Sequence, residues 1–181
     1  SGTHGKTSTT TMLALFNAMA SDDGTTGSAF LGGISKNFGS NLVMGSGKRM
    51  AVEADEFDRS FLQLHPDVAL VTSADADHLD IYKDLRHLRE SFSQFVGQIK
   101  KGGAVIYRHG IELKIANPGI AVYTYSGGTE GDFHPENIRR CDDGTYRFDI
   151  ICPDRTIQDC HLSVPGLVNV ENCVGAVAMM W

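Results

Sequence analysis

The run Gly2-Thr3-His4-Gly5-Lys6-Thr7, followed at once by Ser8 to Thr11, constrains this chain more than any other stretch. Two glycines and then Lys-Thr make a tight loop that can feed a helix. In such a loop the backbone N–H groups and the helix N-terminus cradle a polyphosphate, the lysine reaches its outer phosphates, and the threonine hydroxyl goes to Mg²⁺. A bare Gly-Lys-Thr triplet also occurs in ordinary turns, so the following residues decide. Thr9, Thr10, Met12, Leu13, Leu15, Phe16 and Met19 recur at spacings of three and four, which predicts a helix. Ser and Thr crowd its first turn, where N–H groups without intrahelical partners need acceptors. The full loop pattern has one more small residue five positions before Gly5, ahead of Ser1.

With 181 residues the chain is long enough to bury a sizeable core and is read as a single domain over 1–181. Its 41% hydrophobic and 21% charged residues are those of a soluble globular protein. A net charge of −6 argues against nucleic-acid binding and leaves open a phosphate held by local backbone dipoles. Cys141, Cys152, Cys160 and Cys173 show no C-x-x-C spacing, so they are expected to be reduced thiols rather than a zinc site. No apolar run approaches the roughly 18 residues of a membrane span, so no membrane partner and a cytoplasmic location are expected.

Along the chain, Ser28 to Leu31 reads as a short strand running into Gly32-Gly33, and Ile34 to Lys48 as a long Gly, Ser and Asn-rich loop. Met50 to Ala54 gives a second short strand, and Phe61, Leu62 and Leu64 a helical turn stopped by Pro66. Asp67 to Ser73 is the clearest strand, a continuous apolar run of the kind buried on both faces of a parallel sheet. From Asp84, the residues Leu85, Leu88, Phe92, Phe95, Val96 and Ile99 mark an amphipathic helix. Ala104 to Tyr107 and Ala121 to Tyr125 are strands, with a short helix expected over Glu112 to Ala116. Strand and helix alternate, which predicts an α/β fold with a mostly parallel sheet of P-loop type flanked by helices. Three extended segments, Asp132 to Cys141, Tyr146 to Cys152 and Thr156 to Val164, predict a small antiparallel annex over about 131–164. Val170, Val174, Val177 and Ala178 outline a last helix running to Trp181.

Three chemically distinctive stretches fall at the ends of predicted parallel strands or at the helix starts after them: the glycine loop, Glu53 and Asp77-His78. In a doubly wound sheet those ends share one edge, where ligands bind. Glu53, Asp55, Glu56 and Asp58 repel one another unless cations hold them, and a Mg²⁺ beside the Thr7 hydroxyl is a fitting partner for at least one. His78, in Asp-Ala-Asp-His-Leu-Asp, reads either as a surface histidine or as the ligand of a second divalent ion. Asn169 and Asn172 flank a helix start, where one is expected to cap and the other to meet a nucleobase edge.

Taken together, Gly-Thr-His-Gly-Lys-Thr at 2–7, Glu-Ala-Asp-Glu-x-Asp at 53–58, Asp-Ala-Asp-His-Leu-Asp at 75–80 and Pro-Gly-x-x-Asn-x-x-Asn at 165–172 resemble the central domain of the Mur ligases. The resemblance covers essentially the whole chain. Within the family it is similar to the branch that joins L-alanine to UDP-N-acetylmuramate, with the branch that recycles murein tripeptide as the neighbouring alternative. Ser60-Phe61-Leu62-x-Leu64-x-Pro66 followed by Asp77-His78-Leu79-Asp80 favours the former. A non-ligating P-loop switch is the other alternative, and it lacks support because no base-reading Asn-Lys-x-Asp motif is present.

The resemblance implies ATP and two Mg²⁺ ions as cofactors. It places Gly2, Thr3, His4, Gly5, Lys6, Thr7 and Ser8 around the phosphates, with Asn169 and Asn172 on the adenine side. Thr7 and Glu53 would hold the first metal and His78 the second, with Lys6, Glu53 and His78 serving catalysis. The implied reaction is amide formation in peptidoglycan precursor synthesis, through an acyl phosphate. It further implies an N-terminal domain for the nucleotide sugar and a C-terminal domain that closes over ATP. The 181 residues by themselves are therefore expected to bind MgATP weakly and not to ligate. Two departures stand out: Val168 occupies the position of a usual histidine, and no lysine lies between Asp84 and Gln98 to be carbamylated as in some sister ligases.

Overall fold

A helix does follow the glycine loop: α1 spans Lys6–Met19 and buries Met12, Leu13 and Ala14. None of the hydroxyls that crowd its first turn caps it. Gly5 does, in the left-handed conformation (φ 80°) with no side-chain cap, and its carbonyl accepts from Thr9 N–H at 3.0 Å. In the computed structural model, which describes residues 1–20, 26–74 and 85–181, the chain continues through β1 (Ser28–Ser35), β2 (Ser40–Val43) and β3 (Met50–Val52). A 3-10 turn over Phe57–Gln63 precedes β4 (Val68–Val71), α2 (Leu85–Gly97), β5 (Ala104–Arg108) and β6 (Ala121–Tyr125). Then come β7 (His134–Arg140), β8 (Tyr146–Ile151), β9 (Thr156–Leu162) and α3 (Leu167–Ala178).

The described strands form three sheets. In the first, β1 pairs antiparallel with β2 and parallel with β3. In the second, β4, β5 and β6 are all parallel, with Val71 opposite Tyr107 and Ala104 opposite Ala121. The third, β7-β8-β9, is the expected antiparallel meander. A cavity of about 550 Å³ opens between β3 and β4, lined among others by Leu13 and Asn17 of α1. At its edge the Ser1 nitrogen donates to the Leu70 carbonyl (2.7 Å) and Thr72 N–H donates to the Ser1 carbonyl (2.8 Å), a parallel ladder step alongside β4.

Alternation along β4 sorts side chains into two cores. Leu70 joins Met12, Leu13, Ile106, Tyr125, Val174 and Ala176 on the side of α1 and α3, where Phe148, Ile150 and Leu162 of the annex also pack. Ala69 and Val71 face the other way, toward Leu88, Phe92, Phe95 and Val96 of α2 and toward Phe61. The sheet of β4 to β6 is thus covered on both faces, which is why β4 is an unbroken apolar run. Phe61 meets Phe92 edge-on (centroids 5.6 Å apart, 72°) and Phe95 at 5.0 Å.

Four local expectations are corrected. Ile34 to Lys48 is not all loop: β1 extends to Ser35 and turns back into β2, because ladder hydrogen bonds do not depend on apolar side chains and Phe38 and Val43 still pack on the core. No helix forms at Glu112 to Ala116, where Ile111, Leu113 and Ile115 pack against the α2 core in alternation with exposed Glu112, Lys114 and Ala116. That is a period of two, which an extended chain satisfies and a helix does not. The last helix ends at Ala178 rather than at Trp181. Its N-cap is Gly166, so neither Asn169 nor Asn172 caps it.

All four cysteines are free, with Cys152 and Cys173 buried. Burial pushes the Cys173 thiol up to about 12, so it is a packing group and not a nucleophile. Phe92 is fully buried at the centre of the α2 core. Phe92→Ala is expected to destabilise the fold by about 3–5 kcal/mol through lost burial and the cavity left behind, measured as a lowered urea midpoint.

Candidate phosphate and metal site

The glycine loop lies on the exit of β4. The Ser73 hydroxyl accepts from His4 N–H (2.7 Å) and bonds the Thr3 hydroxyl (2.8 Å), while the Thr72 hydroxyl donates to the carbonyls of His4 and Ser1. Gly2 sits at φ 138°, with its Cβ position 2.6 Å from Ser73 N, so only glycine lets the loop lie this close to the strand. Gly5 is backed in the same way by the Asn172 side-chain carbonyl, 2.6 Å from where a Cβ would stand.

Asn172 is buried inside α3, its carbonyl accepting from the Thr9 hydroxyl (3.3 Å) and its amide donating to Asn169 (3.2 Å). Asn169 in turn donates to the Pro165 carbonyl at 2.7 Å. The two asparagines therefore form a relay that props the loop from behind. Ser8 is exposed in the first turn of α1.

Glu53 comes to the loop because the β1/β3 ladder continues one residue past β3, with Glu53 N–H donating to the Phe30 carbonyl (2.9 Å). Its carboxylate accepts from the Thr7 hydroxyl (2.9 Å) and from Gly32 N–H (2.7 Å). Mg²⁺ binds oxygens at about 2.0–2.1 Å in an octahedron, which sets neighbouring ligands about 2.9 Å apart. The Thr7 and Glu53 oxygens have that spacing, so the pair fits two adjacent positions around a Mg²⁺, leaving the remaining positions to water and phosphate. Among the described residues no group of three or more His, Cys, Asp or Glu side chains forms a metal site. His78, with the rest of the Asp-Ala-Asp-His-Leu-Asp run, lies outside the described residues.

Lys6 is held on its other side by the acidic run. Its ammonium donates to Glu56 at 2.7 Å and lies 3.3 Å from Asp55. Burial works against the charge, and the hydrogen bond and charge of Glu56, followed by Asp55, outweigh it and lift the lysine above its usual pKa. Lys6 is therefore a cation at neutral pH, as a phosphate contact must be.

In the sequence Thr72 and Ser73 read only as the end of one strand and Gly32 as following another; their contacts with the loop and with Glu53 run through space. The one available signal was the pair of small hydroxyl residues closing an apolar strand. A methyl on Gly32 would stand 2.5 Å from the Glu53 carboxylate carbon, and the carboxylate can swing away. Gly32→Ala is thus expected to change stability by less than about 1 kcal/mol, read by urea unfolding, while a crystal structure shows Glu53 displaced from Thr7. A variant in which Glu53 keeps both hydrogen bonds contradicts this account.

Comparison with known proteins identifies the family. The family model described as Mur ligase middle domain matches residues 1–180. The UDP-N-acetylmuramate--L-alanine ligase of Phocaeicola vulgatus is 47% identical over 180 residues, covering 98% of this chain and 38% of the relative. The enzyme of the same name from Parabacteroides distasonis is 46% identical, covering 99% and 38%. The chain thus spans well under half the length of these relatives. The crystal structure of UDP-N-acetylmuramate-alanine ligase MurC from Thermotoga maritima superposes with a TM-score of 0.80 at 23% identity, over 99% of this chain and 39% of that one. Because the family model spans nearly the whole length and relatives at 46–47% identity cover it to 98–99%, this chain belongs to the Mur ligase middle domain family.

Proposed function

We propose that this chain is the ATP- and Mg²⁺-binding part of a cytoplasmic ligase that joins L-alanine to UDP-N-acetylmuramate in peptidoglycan precursor synthesis. The observation that carries the reading is the Thr7–Glu53 pair at Mg²⁺-ligand spacing beside a glycine loop whose lysine is held charged. The name shared by the two relatives cited above supports the acceptor and the amino acid.

In this reading the loop from Gly2 to Ser8 wraps the phosphates, using N–H groups other than that of His4, which Ser73 occupies. Lys6 places positive charge at the outer phosphates. Thr7 and Glu53 would hold Mg²⁺, which when bound offsets the repulsion between an attacking carboxylate and a phosphate chain. The muramate carboxylate oxygen attacks the γ-phosphorus and ADP leaves, giving an acyl phosphate. The L-alanine nitrogen then attacks the acyl carbon, loses a proton, and inorganic phosphate departs through a tetrahedral intermediate. His78 is assigned to a second divalent ion, and Asn169 and Asn172 to the adenine side, with Asn172 acting through the loop it backs. The nucleotide sugar and the closing lid are assigned to the remainder of a longer protein.

The test is phosphate release by the full-length protein with ATP and UDP-N-acetylmuramate, comparing L-alanine with the murein tripeptide. L-Alanine is expected to support turnover, and Lys6→Ala to lower kcat/KM by about 10²–10³, the usual cost of deleting a preorganised charge contact. Glu53→Ala and His78→Ala are expected to abolish activity at ordinary Mg²⁺. Turnover with tripeptide alone reassigns the acceptor to a recycling ligase, and near-normal turnover by Lys6→Ala refutes the role given to the loop.

A further inference from the structure

The two acids beside Lys6 differ in burial and in contact distance. Glu56 is fully buried at 0% exposure, whereas the Asp55 side chain is 56% exposed; the Lys6 side chain between them is 14% exposed. The Glu56 contact is also the shorter, at 2.7 Å against 3.3 Å. Backbone bonds fix the segment that carries both: the Asp55 carbonyl accepts from Phe61 N–H (3.1 Å) and from the Ser60 hydroxyl (3.2 Å), and the Glu56 carbonyl from Arg59 N–H (3.1 Å). Phe61 is itself anchored in the α2 core. Glu56 is therefore tied to the rigid interior, while Asp55 reaches the same ammonium from solvent.

A lysine ammonium has three N–H donors. One committed to a buried carboxylate fixes the direction of the other two. A second shared with an exposed carboxylate is available for exchange, because an exposed ion pair contributes little and its acid returns to water at small cost. Withdrawing the buried acid instead leaves an uncompensated charge in the interior. Incoming phosphate oxygens, with more negative charge than one carboxylate, displace the partner that is cheaper to lose.

Resting on the reading that the loop binds ATP, we propose that Glu56 is a positioning residue that stays bonded to Lys6 and aims its ammonium, while Asp55 is a stand-in for phosphate that nucleotide displaces. The acidic run then has a division of labour: Glu53 toward the metal, Asp55 as exchangeable occupant, Glu56 as fixed support.

The test measures MgATP affinity by calorimetry and steady-state kinetics in the full-length protein. Asp55→Asn removes a competitor and is expected to tighten MgATP about two- to fivefold, the worth of one exposed ion pair, with the gain read in KM, and to do so still at about 0.5 M salt, where distant charges are screened. Glu56→Gln, nearly the same shape, is expected to lower kcat by at least about tenfold, and Glu56→Asp to recover part of it because a carboxylate is restored. A merely structural role for Glu56 would lower thermal stability without this split between KM and kcat. Should Glu56→Gln fail to fold, Asp55→Asn decides alone: unchanged or weaker MgATP binding overturns the proposal. If both neutral variants shift affinity and kcat in the same sense, the division of labour is wrong. If wild-type protein does not bind MgATP, or Lys6→Ala leaves its affinity intact, the proposed function fails, and this inference with it.

Discussion

The rim of this molecule depends on how closely the glycine loop lies against the end of β4. Thr72 and Ser73 use hydroxyls short enough to bond a backbone that almost touches their own, and Gly2 and Gly5 supply backbone with no Cβ to interfere. Two surfaces pressed this close leave the loop with one conformation, so its N–H groups are oriented before any ligand arrives. Preorganised dipoles of this kind stabilise developing charge without a reorganisation cost at the moment of reaction.

The two hydrophobic cores transmit that rigidity. On one face α1 and α3 pack together, and α3 brings Asn172 up behind Gly5. On the other, α2 seats Phe61, and the turn that carries Phe61 fixes the backbone of Asp55 and Glu56. The loop is thus gripped by a strand, propped by one helix and faced by acids held from another. Each contact comes from a different part of the chain, so the site exists only when all layers are assembled.

The charges in the site do not cancel. Lys6 stands between two carboxylates, Glu56 and Asp55, while Glu53 has only a neutral hydroxyl and a backbone N–H for partners. The surplus is negative, so a polyphosphate carrying its own cation would set that cation near Glu53 and its oxygens at Lys6. Binding then exchanges partners instead of creating buried charge, which keeps desolvation small. The half-exposed position of Asp55 beside fully buried Glu56 is what gives that exchange a direction.

Periodicity and motif spelling were enough to find α1, β4, α2, α3 and the annex, because each follows from a local pattern of apolar residues that any packed fold must respect. That Lys6 and Thr7 would meet the acidic run was legible for a related reason: in a doubly wound sheet the strand ends and the helix starts after them share one edge. The β1–β2 hairpin was legible only in its first half: Ser28 to Leu31 reads as strand, but the Gly-Gly that follows and the short Ser-Asn-Leu-Val of β2 show no sustained apolar period, and their ladder is made of backbone bonds. The extended run at Ile111 to Ile115 was legible in principle, because Ile-Glu-Leu-Lys-Ile alternates with a period of two, and the helix expected there overlooked it. Gly32, Thr72, Ser73 and the burial of Glu56 belong wholly to the tertiary structure, because they act across 20 to 70 positions of chain. Sequence alone determined which chemical groups are present and which segments are helix or strand; only packing decided which of four neighbouring acids meets the lysine, because that depends on the distance between side chains from separate layers.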